Sequence, residues 1–422
     1  MTSAISLQEH QLFFALLRPK QRRNLTMLTS LALIFLVGMA LGWVFSRLRL
    51  PSLLGMLLTG ILLGPYVLNL LDDSILGISA DLRQLALIII LTRAGLSLQV
   101  DDLKRVGRPA VLMCFVPACF EVAGMLLLAP PLLGISLLDA AIMGAVVAAV
   151  SPAVVVPRML RLMEEGYGTD HSIPQLILAG ASVDDVFVIV LFTSFTGLAQ
   201  GGTLSPATFL QVPASVVTGL AFGGLAGVLF GAFYRRFHVR DSAKVVVLLS
   251  LSFLFVALEN AVKGTIPFSG LLAVMSCGIA LQQTRPEVAR RLADKYSKLW
   301  VASEILLFVL VGATVDISYA RSAGAAALAV ILGALVFRMA GVFVCLLGTG
   351  LPLRERLFAM IAYTPKATVQ AAIGSVPLAM GLPCGQLVLT VAVLAILVTA
   401  PLGAFGVDMT YRRLLTRQIP EQ

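Results

Sequence analysis

Apolar runs of about 18–25 residues recur along almost the whole chain, separated by short polar connections. A helix of that length crosses the hydrocarbon of a bilayer and satisfies every backbone N–H and C=O within itself. Thirteen such runs are legible, at 25–46, 51–71, 82–99, 107–128, 137–160, 172–200, 208–233, 243–262, 266–283, 299–317, 322–348, 355–380 and 386–410. Only 13% of the 422 residues are charged and mean hydropathy is +0.96, whereas a soluble domain carries about a quarter charged residues. The expected fold class is an all-α polytopic membrane protein in contact with lipid. No connection leaves room for a second folded domain. The longest polar stretch, 284–298, reads as an interfacial amphipathic linker between the ninth and tenth spans.

The net charge of +9 is not a nucleic-acid signal, because the basic residues sit in short loops. One alternating set of loops holds most of them: Arg47 and Arg49; Lys104, Arg105 and Arg108; Arg158 and Arg161; Arg235, Arg236, Arg240 and Lys244; Arg285 to Lys298; Arg354 and Arg356; Arg412, Arg413 and Arg417. The other set holds only Arg83, Lys263, Arg321 and the N-terminal Arg18, Lys20, Arg22 and Arg23. The positive-inside rule makes the first set, and so the C-terminus, cytoplasmic. Thirteen spans then put the N-terminus outside, against the sense of its own basic residues. Met1 to Leu17 is amphipathic and too short to span, and no cleavable signal peptide is evident. Compact loops suggest a bacterial inner membrane. Cys114, Cys119, Cys277, Cys345 and Cys384 lie mostly in apolar stretches and form no CxxC, as expected of reduced buried thiols. No cofactor is implied.

Asp184 and Asp185 interrupt the apolar run 176–192. A carboxylate at bilayer depth is costly and marks an ion or proton path. Neighbours on one helix point roughly 100° apart, so one can face a packed helix and the other a cavity. Two close carboxylates in a partly dry site do not both ionise easily. Such a site holds either a proton or a hard monovalent cation, which is exchange by competition. Ser151, Ser182 and Thr364 are candidate neutral oxygen ligands. Glu121 and Arg338 read as a buried ion pair, and Lys366 as charge compensation at a broken helix, a partner for a carboxylate or a direct substrate contact. Arg93, Glu259, Glu304 and Asp316 are further charges within spans, without an assigned role. His10, His171 and His238 lie at span edges or in loops and carry none.

The fifth span contains Ser151-Pro152 and Pro157; the twelfth contains Thr364-Pro365-Lys366 and Pro377. Proline frees backbone groups within a helix. Two interrupted spans seven apart point to an inverted repeat, in which spans 1–6 mirror 8–13 with opposite orientation.

Together, Ala149-Val-Ser-Pro-Ala-Val-Val-Val-Pro157, Gly166-Tyr-Gly168, Ala181-Ser-Val-Asp-Asp185 and Pro365-Lys-Ala-Thr-Val-Gln-Ala-Ala-Ile-Gly-Ser-Val376 resemble the NHA subgroup of sodium/proton antiporters, in the monovalent cation/proton antiporter superfamily. Leu91-Thr-Arg-Ala-Gly95 and Glu121 also match. The resemblance implies an inverted-repeat antiporter fold with two crossing broken helices, a homodimer and an elevator mechanism. It implies scaffold helices in 1–106 and 201–320, mobile core helices in 107–200 and 321–410, and a tail at 411–422. It makes Asp184 and Asp185 the acidic pair that takes Na+ or Li+ and H+, with Asp185 the ion ligand. The eleventh-span position that is lysine in electrogenic relatives is Arg338 here. Arginine keeps its proton, so one-for-one, electroneutral exchange is expected. Alternatives are K+/H+ exchange and a sodium-coupled organic-solute symporter. An intramembrane aspartyl protease needs aspartates on two helices, and a channel gathers charge from symmetric copies around one pore; neither suits this chain, and no enzymatic activity is expected.

Overall fold

The computed structural model describes residues 26–98, 107–201, 206–237, 239–262 and 266–417. The expectations for Met1 to Leu17, His10, His238, Lys104, Arg105 and Lys263 fall outside those residues. Eighteen helices make up the described chain: α1 (Met27–Arg47), α2 (Ser52–Leu63), α3 (Asp73–Gly77), α4 (Ser79–Ser97), α5 (Arg108–Met113), α6 (Val116–Leu133), α7 (Leu137–Val147), α8 (Pro152–Glu164), α9 (Ile173–Gly201), α10 (Pro206–Arg236), α11 (Asp241–Val262), α12 (Gly270–Thr284), α13 (Pro286–Ala313), α14 (Ile317–Cys345), α15 (Leu353–Ala362), α16 (Thr368–Ile373), α17 (Val376–Ala379) and α18 (Gly385–Leu414). Among the described residues there is no strand beyond an isolated bridge between Tyr167 and Arg417.

Nine helical segments among the described residues are long and apolar enough to cross a membrane. The second, third, ninth and twelfth expected spans are helical but do not meet that measure. The second ends at Leu63, because Gly64-Pro65 stops it and a turn over Pro65 to Leu68 and irregular chain to Leu71 follow. The third, α4, carries three charges, Asp81, Arg83 and Arg93. The ninth is α12, of 15 residues. The twelfth is divided into α15, α16 and α17.

One expectation holds only in part: 284–298 is amphipathic, but from Pro286 on it is continuous with the tenth span and not a separate linker. α13 starts at Pro286, whose fixed φ suits a first helical turn, and runs unbroken for 28 residues. Val288, Ala289, Leu292 and Tyr296 bury one stripe of that first half, and the charges of the stretch lie around it. A further interruption appears where none was expected. The fourth span breaks at Cys114-Phe115 between α5 and α6, just before Pro117.

The helices pack in two groups. In one, α13 lies against α2 and α4, α12 against α4, α10 and α11, and α1 against α2. In the other, α14 packs along α6, α7 against α6 and α9, α8 against α9, and α18 against α14 and α15. The groups meet where α16 touches α4 and α13 and where α9 touches α10. Small residues set the closeness of the first group. A Cβ on Gly60 would stand 1.9 Å from the Val309 carbonyl oxygen, so α2 and α13 approach to backbone contact. The glycines of α10 do the same, as expected of helices joined through small residues: a Cβ on Gly223 would lie 2.2 Å from Ala273 O. The five cysteines are free thiols, Cys119 exposed and the others buried.

Candidate ion-binding site

Two breaks in regular structure face each other in the second group. Residues 148–151 interrupt α7 and α8, and residues 363–367 interrupt α15 and α16. Each break frees backbone groups that low dielectric requires to be paired. The Ser151 N–H donates to Pro365 O at 2.8 Å, joining one break directly to the other. The Lys366 N–H donates to Thr399 Oγ1 at 3.0 Å. The Gln370 amide donates to Val147 O at 3.2 Å and Ala149 O at 2.9 Å. The Val150 N–H donates to Asp184 Oδ2 at 2.8 Å.

Arg338, fully buried on α14, is the hub. Its Nη1 donates to Glu121 Oε2 at 2.9 Å and to Ala148 O. Its Nη2 donates to Asp184 Oδ2 at 2.7 Å, and its Nε to Tyr363 O at 2.8 Å. One planar guanidinium thus binds a carboxylate on α6, a carboxylate on α9 and one carbonyl from each break. A point-charge ammonium has no such fork. The Tyr363 ring lies under it, 5.0 Å from the guanidinium carbon, and the phenol donates to Met113 O at 3.1 Å. Lys366, also buried, donates from Nζ to the same Glu121 Oε2 at 2.5 Å. Glu121 therefore has two basic partners, the expected Arg338 and also Lys366.

The two aspartates have unlike surroundings. Asp184 is fully buried and spends Oδ2 on Arg338 and Val150. Asp185 is half-buried, no ion pair joins it to Arg338 or Lys366, and its Oδ1 has no hydrogen-bond partner. Ser151 Oγ and Asp184 Oδ1 are likewise buried without partners. Thr364 Oγ1 instead donates to Ile361 O within its own helix end, at 2.8 Å. Ser182 lies on α9, and its side chain is outside the described set. Two further orphan oxygens, Thr368 Oγ1 and Gln370 Oε1, belong to the first turn of α16, beside the second break. Neither was singled out from the sequence, although both are polar residues in an otherwise apolar run.

Charges read in other spans lie elsewhere. Glu304 on α13 sits within electrostatic reach of Arg93 on α4. Glu259 Oε2 accepts the Gly270 N–H at 2.8 Å, linking α11 to α12. His171, expected to be without a role, lies 2.9 Å from Glu355 Oε2, which ties the start of α9 to α15.

Two crossed helix breaks, bonded to each other beside a buried acid–base cluster, define a membrane carrier of the antiporter fold. The family model described as "Sodium/hydrogen exchanger, transmembrane" matches residues 31–412. The chain belongs to that family. It is 35% identical to sodium/hydrogen exchanger 9B2 of Homo sapiens over 387 residues, 87% of this chain and 70% of that protein. It is 34% identical to the Xenopus tropicalis protein of the same name, over 92% of this chain and 74% of the relative. The fold matches the sodium proton antiporter MjNhaP1 from Methanocaldococcus jannaschii with a TM-score of 0.80, at 20% identity, over 91% of this chain and 97% of the other.

Proposed function

We propose that this chain is a secondary transporter that exchanges one Na+ or Li+ for one H+ at Asp185. The observation that carries the reading is a count of charges. The cluster holds three carboxylates, Glu121, Asp184 and Asp185, and two cations, Arg338 and Lys366. Arg338 serves Glu121 and Asp184, and Lys366 serves Glu121. Asp185 alone lacks a fixed basic partner, so one mobile monovalent charge completes the site. A proton supplies it by forming the neutral acid, and an alkali cation supplies it by coordination. Ser151 Oγ, Asp184 Oδ1, Thr368 Oγ1 and Gln370 Oε1 are the neutral or shared oxygens available as further ligands. Thr364, whose hydroxyl donates to Ile361 O, keeps only its acceptor lone pairs for the cation.

The same count explains obligatory coupling. Either loaded state has the same net charge, whereas the empty site has one uncompensated carboxylate. Moving that charge through low dielectric is costly, so the empty carrier does not cross and cation and proton take turns. The moving unit is the six-span core of residues 107–200 and 321–410, and the helices of 1–106 and 201–320 form the scaffold and the dimer contact. Support for that division is that the broken helices touch the other group chiefly through α16. The arginine-rich loops and the 411–422 tail lie on the cytoplasmic side. With no lysine in place of Arg338, the exchange is electroneutral.

The test is reconstitution with a pH dye inside the vesicles. Addition of Na+ or Li+ outside acidic vesicles should alkalinise the lumen. Absence of any cation-dependent proton movement across pH 6–9 with Na+, Li+ and K+ would refute the assignment.

A further inference from the structure

A cavity of about 300 Å³ lies where the two helix groups meet, lined by the first turns of α4, the last turns of α9 and α11, and α16–α17. Its volume is at the small end of ligand pockets. Most of its wall is apolar: Leu87, Phe192, Ile373 and Val376 contribute. One charge stands out. Arg83 lines the cavity with only 6% of its surface exposed, and its Nη1 makes no hydrogen bond. A buried guanidinium N–H without an acceptor carries the full desolvation cost of the group. The family site described above does not account for it, since Arg83 is on the other helix group.

The geometry points to this cavity as a binding site for a small amphipathic monoanion, a carboxylate or phosphate head on an apolar body. The head takes the Arg83 guanidinium, which lines the cavity, in a charge-assisted hydrogen bond, and the body lies on Phe192, Ile373 and Val376. Glu259 lines the same wall and holds a second, negative charge there. Arg83 is the one cation among the described lining residues and Glu259 the one anion, so the wall has no positive charge to spare for a polyanion.

The position of the cavity gives such a ligand a consequence. On α9, Phe192 and Thr196 follow Asp185 by seven and eleven residues, so all three share one helix face. The cavity therefore stands about 10 Å along that face from Asp185, at 1.5 Å per residue. A molecule filling it would touch both helix groups at once. If the exchange reading above holds, the bound anion arrests the cycle; the binding itself does not depend on that reading.

The experiment measures binding first. Purified full-length protein in neutral detergent is titrated with 4-phenylbutyrate, with acetate as the head alone and 4-phenylbutylamine as the same body with opposite charge. Melting temperature should rise with 4-phenylbutyrate and with neither control. In Arg83→Gln the affinity should fall by about tenfold or more, the loss of one hydrogen bond to a charged group, while the unliganded protein melts no lower than wild type. Should Arg83→Gln not fold, Gln84→Glu keeps the arginine and sets a carboxylate beside it, and the same loss is expected. Equal affinity in the variant, or equal stabilisation by the amine, overturns the site. Repeating the titration in nanodiscs separates the sources. Competition by phosphatidylglycerol but not phosphatidylcholine makes the occupant a lipid headgroup, and undiminished binding makes it a free acid; both support the site. Inhibition of exchange is read separately, so a failure of transport leaves the binding result standing.

Discussion

Replacing Arg338 by alanine tests how the site is held together. The side chain is fully buried and donates to two carboxylates and to one carbonyl from each helix break. Truncation leaves Glu121 with Lys366, but leaves Asp184 with the Val150 N–H as its remaining hydrogen bond. Removing one partner from a buried ion pair costs about 3–5 kcal/mol, most of it from the stranded charge. For a cooperative unit of 150–250 residues, each kcal/mol moves Tm by ~2–4 °C, so a fall of roughly 6–20 °C is expected. The assay is a thermal melt in detergent followed by tryptophan fluorescence or aggregation. Adding Asp184→Asn to Arg338→Ala should recover part of the loss, because the stranded charge is gone. Its coupling energy in a double-mutant cycle should exceed about 1 kcal/mol. A Tm for Arg338→Ala within ~2 °C of wild type, less than about 1 kcal/mol on the same scale, would refute the reasoning. So would strict additivity of the two substitutions.

Asp185→Asn should abolish cation-dependent proton flux in proteoliposomes while Tm stays at or above that of wild type, since no basic partner is lost; retained flux would remove Asp185 from its role. An imposed membrane potential should leave the initial exchange rate unchanged, and a clear response to valinomycin-clamped voltage would defeat one-for-one exchange. Gly60→Ala should destabilise the α2–α13 contact by about 1–3 kcal/mol, because the new methyl meets the Val309 carbonyl; an unaltered melt would mean that these helices separate without cost.

The anomalies in the sequence were chemical, and those were legible. Acids and prolines inside apolar runs contradict their surroundings, so Asp184, Asp185, Ser151-Pro152 and Pro365-Lys366 declare themselves without any fold. What remained hidden depended on rotation and partner choice. A difference of one residue turns a side chain about 100°, and only the packing of α9 against the first break decides that Asp184 meets Arg338 while Asp185 does not. Lys366 binding Glu121 is equally tertiary, since 245 residues separate them. Thr368 and Gln370 carried a weak signal, polarity in an apolar run, which the stronger signal of Pro365 overshadowed. The 284–298 stretch misled by composition. Its charges suggested a linker, yet Val288, Leu292 and Tyr296 repeat every four residues, and that period belonged to a helix. The end of the second span was written in Gly64-Pro65, but the apolar residues beyond it lengthened the run.

The bond from the Ser151 N–H to Pro365 O has a mechanical corollary. The two strands of irregular backbone, one from each half of the internal repeat, are joined directly by that bond and again through Arg338, which holds Ala148 O of one and Tyr363 O of the other, so swinging either outward would drag its counterpart. Gating by the bending of one half-helix would tear that stitch and strand a donor and an acceptor in a dry interior. Movement of the crossing as one piece, as in the exchange cycle proposed above, would leave that stitch intact.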